Sequence, residues 1–403
     1  MRNLVVIFLL AISFSAGIDA MQYEESSING SSFTLALNNT NELSQSNDNI
    51  TQSRHNAITN TIKMASPAIV GINVTEIKQV VYRNPIFDDP LFRGFFGDGA
   101  GTRTREYKVQ GLGSGFIISS DGYILTNHHV AGNASKIVIT MTDGKRYEAE
   151  IIGSDMVTDV ALLKIDAKNL PYLKFGNSDD LLIGEWAIAF GNPFGLFDLN
   201  AKPTVTVGVI SNVGVNFLHQ DEPYNRVYRN MIQTDAAISS GNSGGPLLNA
   251  MGEVVGMNTI IYSTANSRQG SGSIGIGFSI PINRVKVMAE MLKSKKEIDR
   301  AFYTGLDARD IDEGIAKYLG IEERDGVVVF GFKGNSPADK AGIKLGDIIT
   351  AVDGNRVLKL DDFMVYVGDS FVGDKKEFTI LRDGNEIKRA IVLEKLTGRK
   401  SAR

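Results

Sequence analysis

The sequence predicts a mainly β chain, with an antiparallel barrel or sandwich over about residues 61–300 and a small α+β module over about residues 301–396. Short β-branched runs recur between turn signals through the first region, which is how strands separated by tight turns read. The apolar period turns helical only near its end. A second, shorter set of strand and helix signals then fills a stretch of ordinary domain size. The 42 glycines exceed the usual share of about 7%, which suits a chain with many tight turns.

Seven runs mark strands: Ala68–Thr75, Gly115–Ser119, Ile137–Met141, Ala161–Ile165, Ala187–Phe190, Val205–Ile210 and Val254–Ile261. Tyr123–Thr126 adds a short apolar one, and Asp143-Gly144 predicts a hairpin turn. From Pro281 to Arg300 the period becomes helical, with Val285, Met288 and Leu292 on one stripe. In the second module, strands are expected at Val327–Phe332 and Ile348–Val352. Helices are expected after Ser336-Pro337 and near Asp361–Val367, and a hairpin at Asp383-Gly384.

At the N-terminus, Arg2, the apolar run Leu4–Phe14 and the small residues Ser15–Ala20 read as a signal peptide or an uncleaved N-terminal anchor over residues 1–20. Either way the remainder is exported. Residues 21–60 are roughly half Ser, Thr and Asn, too polar to bury a core, and are expected to form a disordered linker. The Asn-x-Ser/Thr triplets at Asn29, Asn38 and Asn49 follow from that composition. Residues 397–403 read as a basic tail.

Composition excludes several classes of function. A net charge of −4 leaves no basic excess for nucleic acid. With no cysteine there is no disulfide, no thiolate metal site and no thiol nucleophile. No motif calls for a metal or cofactor.

Three segments carry chemistry. Gly241-Asn242-Ser243-Gly244-Gly245 presents a hydroxyl among glycines that let backbone N–H groups converge on a developing oxyanion, with Gly241 and Ser243 as the donors. Taken alone, the run could be a plain turn. Thr126-Asn127-His128-His129-Val130 places two of the four histidines at a strand end, where one imidazole can serve as general base. Thr158-Asp159-Val160 sets a carboxylate at the mouth of a buried strand, where it can orient an imidazole or simply make a turn. The chain order His, Asp, Ser is that of chymotrypsin-type barrels rather than subtilisins or α/β-hydrolases.

Taken with Gly111-Leu112-Gly113-Ser114-Gly115-Phe116 and Gly191-Asn192-Pro193-Phe194-Gly195, these segments resemble the HtrA (DegP/DegQ, Do-like) serine proteases. The likeness covers about residues 61–396. It implies a chymotrypsin-like double β-barrel with the active site between the barrels. It also selects His129, next to the motif's valine, so the implied triad is His129, Asp159 and Ser243. Two departures stand out. The segment Leu196–Pro203 is longer than the usual connection at this activation loop, and Ser239-Ser240 replaces an Asn-Pro common in relatives. The position six before the serine, the floor of the primary pocket in such barrels, is Ala237, which implies a preference for small aliphatic residues.

The C-terminal module resembles a PDZ domain. Asn335–Gly342 and Leu345–Gly354 carry that likeness, and Tyr303-Thr304-Gly305-Leu306 would be the loop that holds a peptide carboxylate. Only one such module fits. The aromatic stretch Pro85–Phe96 reads as an exposed contact loop or one packed on its own domain, and the resemblance implies that it reaches a neighbouring subunit or its active site. By resemblance, the substrates would be unfolded or damaged exported proteins, with peptide C-termini at the PDZ domain. The resemblance further implies a homotrimer or larger cage and a bacterial periplasmic or cell-surface location. A chaperone with secondary proteolysis and a PDZ-regulated signalling protease are the rival readings.

Overall fold

The computed structural model describes residues 53–83, 102–192, 202–221, 224–239, 241–261, 275–295, 298–320 and 325–396. The expected leader, most of the linker, the aromatic stretch 85–96, the segment 193–201, Ser240 and the basic tail lie outside the described residues.

The described chain begins with helix α1 (Ala57–Ala65), which starts before the linker boundary expected at residue 60. Asn56 makes the difference: its side chain accepts from the Thr59 N–H at 3.0 Å while Thr59 Oγ1 accepts from the Asn56 N–H at 3.0 Å. That reciprocal pair is a capping box, and it satisfies two donors a helix start otherwise leaves open.

Two closed barrels follow, so the barrel-or-sandwich alternative resolves to a barrel pair. The first is built from β1 (Ile69–Arg83), β2 (Thr102–Ile117), β3 (Tyr123–Thr126), β4 (Lys136–Met141), β5 (Arg146–Asp155) and β6 (Val160–Ile165), in the order β1-β2-β3-β6-β5-β4. Between β3 and β4 lies a single helical turn, α2 (His128–Ala131). The second barrel uses β7 (Trp186–Gly191), β8 (Thr204–Asp221), β9 (Tyr224–Thr234), β10 (Pro246–Leu248), β11 (Val254–Ile261) and β12 (Gly277–Pro281), in the order β10-β11-β12-β9-β8-β7. Closure leaves no free sheet edge in either barrel.

Strands β5 and β9 escape the sequence pattern for a physical reason. β5 buries only three of its ten positions and carries several charged residues, so it offers little apolar run. β9 begins Tyr-Asn-Arg-Val-Tyr-Arg-Asn-Met, and its buried hydrophobic residues are Val227, Tyr228, Met231 and Ile232. β8 runs beyond its expected end at Ile210 and pairs with β9 through three register shifts, which let so long a strand bend. Helix α3 (Ile282–Lys295) closes the barrels with Val285, Met288 and Leu292 all buried, while Pro281 belongs to β12.

The core of the first barrel, including Ile69, Ile72, Phe116, Ile124, Leu125 and Leu163, continues into Phe190, Tyr228, Met257 and Ile280 of the second. Their shared wall is where loops from both barrels meet. Burying each such side chain contributes about 1.5–3 kcal/mol.

The C-terminal module contains β13 (Phe302–Tyr303), β14 (Leu306–Asp310), α4 (Glu313–Leu319), β15 (Val327–Phe332), α5 (Pro337–Lys340), β16 (Ile348–Val352), β17 (Asn355–Arg356), α6 (Leu360–Gly368), β18 (Lys375–Arg382), β19 (Asn385–Val392) and β20 (Glu394–Lys395). Its main sheet runs β14-β15-β16-β18-β19 around Val327, Val329, Ile349, Phe363 and Phe378. Asp383 and Gly384 both take left-handed φ values, 49° and 79°, as a two-residue hairpin turn between β18 and β19 requires. Helix α4 has no counterpart in the expectation. It starts where Asp312 Oδ1 accepts the Ile315 N–H at 2.7 Å and ends at left-handed Gly320. Among the described residues, no helix is long and apolar enough to cross a membrane.

Candidate active site

The site grows from three loops that the barrels bring together. The first follows β3. After Thr126 the chain turns into α2, which carries His128 and His129 on successive positions and therefore on different faces. His128 is buried, with Nδ1 3.1 Å from Ser154 Oγ. Burial pushes its imidazole below the usual histidine range, and the Arg226 charge adds to that, against the raising effect of the Asp159 carboxylate. His129 faces a cleft instead.

The second loop joins β5 to β6. The Asp155 carboxylate accepts from the Thr158 N–H at 2.9 Å and from Thr158 Oγ1 at 2.5 Å, which forms a tight turn. Asp159 follows at φ 61°, a conformation unusual for a residue other than glycine. The backbone holds that strain in place, since the Asp159 carbonyl accepts from the His128 N–H at 3.1 Å and from Asn127 Nδ2 at 3.0 Å.

The Asp159 carboxylate is fully buried and surrounded by donors. Oδ1 accepts the His129 N–H at 3.0 Å, and Oδ2 lies 2.8 Å from His129 Nδ1. Thr259 Oγ1 donates to Oδ2 at 2.7 Å, and the Tyr228 hydroxyl donates to it at 3.3 Å. Arg226 Nε stands 3.8 Å from Oδ1. Burial alone would push this carboxyl up. The charge and hydrogen bond of His129, together with the Arg226 charge, outweigh burial and hold it below the usual carboxylate range. Burial drives the Tyr228 phenol upward, so it stays a protonated donor.

The third loop is Gly241–Gly245, before β10. The Ser243 carbonyl accepts from the Ser114 N–H at 3.0 Å, and the Gly244 N–H donates to the Asn258 carbonyl at 2.8 Å. These bonds pin the serine between β2 and β11. Gly244 has φ 84°, and a Cβ there would sit 2.2 Å from the Ser114 oxygen and 2.3 Å from Thr126 Oγ1, so only glycine fits. Ser114 Oγ donates to the Gly241 carbonyl at 2.5 Å and accepts the Asn192 N–H at 2.7 Å. One serine of the first barrel thus fixes the Gly241–Gly245 loop of the second. Among the described residues, no hydrogen bond takes up the N–H of Gly241 or of Ser243.

His129, Ser243, Gly241 and Leu112 line one cleft of about 320 Å³. Within it the Ser243 hydroxyl donates to the Thr259 carbonyl at 2.9 Å, and among the described residues no hydrogen bond joins it to His129. Rotation about the Ser243 Cα–Cβ bond is the movement that would redirect it. Chemically, the cleft brings together a hydroxyl, a carboxylate-oriented imidazole and two residues whose N–H groups have no acceptor among the described residues.

Ala237 is exposed and does not line this cleft; its carbonyl accepts Thr206 Oγ1 at 2.8 Å. Tyr303, Thr304, Gly305 and Leu306 lie together in the other module, all half-buried. Their carbonyls are held from behind, Thr304 by the Ala338 N–H at 3.0 Å and Gly305 by the Lys333 N–H at 2.9 Å. Leu306 then opens β14, the edge strand of the sheet.

No signal in the sequence marked Thr259, Tyr228 or Arg226, and Ser114 appeared there only within a motif, with no role of its own. Arg226 and Tyr228 alternate on β9, a pattern visible only once β9 is recognised as a strand.

Comparison with known proteins agrees with this arrangement. Residues 113–257 match a trypsin-like peptidase domain, and residues 305–393 match a PDZ domain. A protein of Ectopseudomonas mendocina, named as a DegP-like periplasmic serine endoprotease, is 37% identical over 346 residues, covering 82% of this chain and 69% of the relative. The chain belongs to the HtrA (DegP-like) serine protease family. A DegP-like endoprotease of Chlamydia muridarum is 41% identical over 323 residues, and there the chain spans 62% of the relative's length. A solved HtrA-type protease, AlgW with a decapeptide, is 34% identical with a TM-score of 0.61, covering 85% of this chain and 99% of that one. HtrA membership accounts for the barrel pair followed by a PDZ domain.

Proposed function

We propose that this HtrA protein is an ATP-independent serine endopeptidase of unfolded or misfolded exported proteins. Ser243 attacks the scissile carbonyl, His129 takes and returns the proton, and Asp159 orients the imidazole and stabilises its charged form. The N–H groups of Gly241 and Ser243 hold the oxyanion, and water then resolves the acyl-enzyme. The observation that carries the reading is the 2.8 Å pairing of His129 Nδ1 with buried Asp159, in the cleft that also holds Ser243.

Ala237 would leave the primary pocket without a carboxylate, which favours small aliphatic residues over Lys or Arg. Tyr303–Leu306 would receive a peptide carboxylate while the peptide adds to the edge of β14. The proposed organisation is a leader or anchor over residues 1–20, a tether, a protease domain to residue 300, a PDZ domain over 301–396 and a basic tail. A periplasmic location and a homotrimer or larger cage complete the reading; the location is supported by the names of the relatives.

The test is hydrolysis of unfolded casein by the wild type and by S243A. The reading predicts that S243A abolishes cleavage, and undiminished cleavage would refute the nucleophile. Protection of an aggregating client by S243A would add a chaperone role to the protease.

A further inference from the structure

Arg226 precedes Tyr228 by two residues on β9, so both side chains leave the strand on the same face, toward Asp159. The Arg226 side chain is only 16% exposed, and its Nε lies 3.8 Å from Asp159 Oδ1. Among the described residues, that Nε has no hydrogen-bond acceptor. A guanidinium taken out of water usually forks onto a carboxylate or carbonyls. At this Nε only the Coulombic contact remains, which falls off slowly with distance and does not need aligned donors.

The same carboxylate is already hydrogen-bonded by His129, Thr259 and Tyr228. Arg226 is therefore not needed to complete its donors. What it adds is a permanent positive charge beside the group that must later stabilise a second one, the imidazolium formed when the serine proton moves.

We propose that Arg226 is a positioning residue for the proteolytic reaction assigned above, a fixed charge that opposes protonation of the resting imidazole and so keeps His129 able to accept the Ser243 proton at more acidic pH. The proposal rests on the protease reading. Other charged or titratable groups near the pair are His128 on α2, Tyr228 on β9, Asp155 on β5, which is tied to Arg300, and Glu76 on β1, which lines the same cleft as His129. His219 lies opposite Arg226 in the β8–β9 register. Neighbouring His128 already feels the Arg226 charge in the expected direction, though its burial is the larger influence.

With Arg226 neutralised, Asp159 faces the imidazolium without a competing cation. The resting enzyme then gains the inactivating proton at higher pH, and the acid limb of activity moves up. Arg226 is not among the residues lining the cleft, so KM should stay as it is.

The test measures hydrolysis of a peptide and fluorophosphonate labelling of Ser243 from about pH 5 to pH 9, the range where histidine titrates. Wild type, R226Q, R226M, R226K and the control H219Q are compared, and folding of each is checked by circular dichroism. R226Q and R226M should move the acid limb up by about one pH unit, the low end of what a nearby charge shifts a titrating group, with KM unchanged. R226K should keep the wild-type limb, and so should H219Q. An unmoved limb in R226Q or R226M overturns the proposal. So does a folded R226K whose limb moves as far as theirs, which would make the role steric. Wild-type enzyme that shows no Ser243-dependent labelling at any pH would instead refute the protease reading itself.

Discussion

Replacing Arg300 by Met should destabilise the protein by about 3–5 kcal/mol, the range found when one partner of a buried ion pair is removed. Arg300 joins the two modules. Its Nε and Nη2 meet Asp155 at 2.9 and 2.8 Å, and its Nη1 donates to the Ser370 carbonyl at 3.2 Å. The guanidinium also stacks 4.3 Å from the Phe371 ring centre. Side-chain exposure is 10% for Arg300 and 5% for Asp155, so water cannot replace the lost contacts. With Met in place, the Asp155 carboxylate would keep Thr158 but stand as an uncompensated buried charge. At a urea m-value of about 2–3 kcal/mol/M, the first unfolding midpoint should fall by about 1–2.5 M. D155N/R300M removes the stranded charge, so the double variant should regain stability relative to R300M, with a coupling energy of about 1.5–3 kcal/mol. The Asp155–Thr158 turn leads straight into Asp159, so R300M should also lower kcat. A loss below about 1 kcal/mol, or strictly additive variants, would show that the pair behaves like a surface salt bridge and refute the reasoning.

Three further outcomes follow from the site. Thr259→Val removes the 2.7 Å donor to Asp159 and leaves a buried carboxylate lone pair unmet; kcat should fall by about tenfold or more, from a loss of about 1.5–3 kcal/mol, with KM nearly constant in steady-state assays. Gly244→Ala forces a Cβ against the Ser114 carbonyl, so folded variant should react with fluorophosphonate at least about a hundredfold more slowly. Burial depresses the His128 imidazole in the folded state, so the unfolded chain binds the extra proton first. Stability from this group is full above about pH 6.5 and declines as pH falls through the lower folded value. Melting temperature measured against pH should therefore drop less steeply in H128Q than in the wild type.

Much of the architecture was legible because strands with continuous apolar runs announce themselves. Ala161–Ile165 and Val254–Ile261 fall inside observed strands, and Val285, Met288 and Leu292 face inward as their helical stripe requires. β5 and β9 stayed hidden because polar residues cover their exposed faces, and closure of a barrel is a property of many strands together. The short polar segment at α4 gave no strong period, yet the Asp312 cap and Gly320 stop were present in the sequence.

At the site, residue type and chain order marked His129, Asp159 and Ser243. The surrounding support was harder to see. Ser114 lies 127 residues from the Gly241 carbonyl it bonds, and Thr259 lies 100 residues from Asp159. Only folding makes such pairs neighbours. The resting direction of the Ser243 hydroxyl, toward the Thr259 carbonyl, is likewise a rotamer choice that sequence does not encode as a pattern.

The central claim is that His129 makes the Ser243 oxygen nucleophilic despite that resting direction. Intact-mass and peptide mapping after fluorophosphonate treatment tests it most directly, with the wild type beside H129A. One adduct on Ser243, formed at least about a thousandfold more slowly in H129A, is the predicted result. An adduct on another residue, or equal rates in the two proteins, would contradict it.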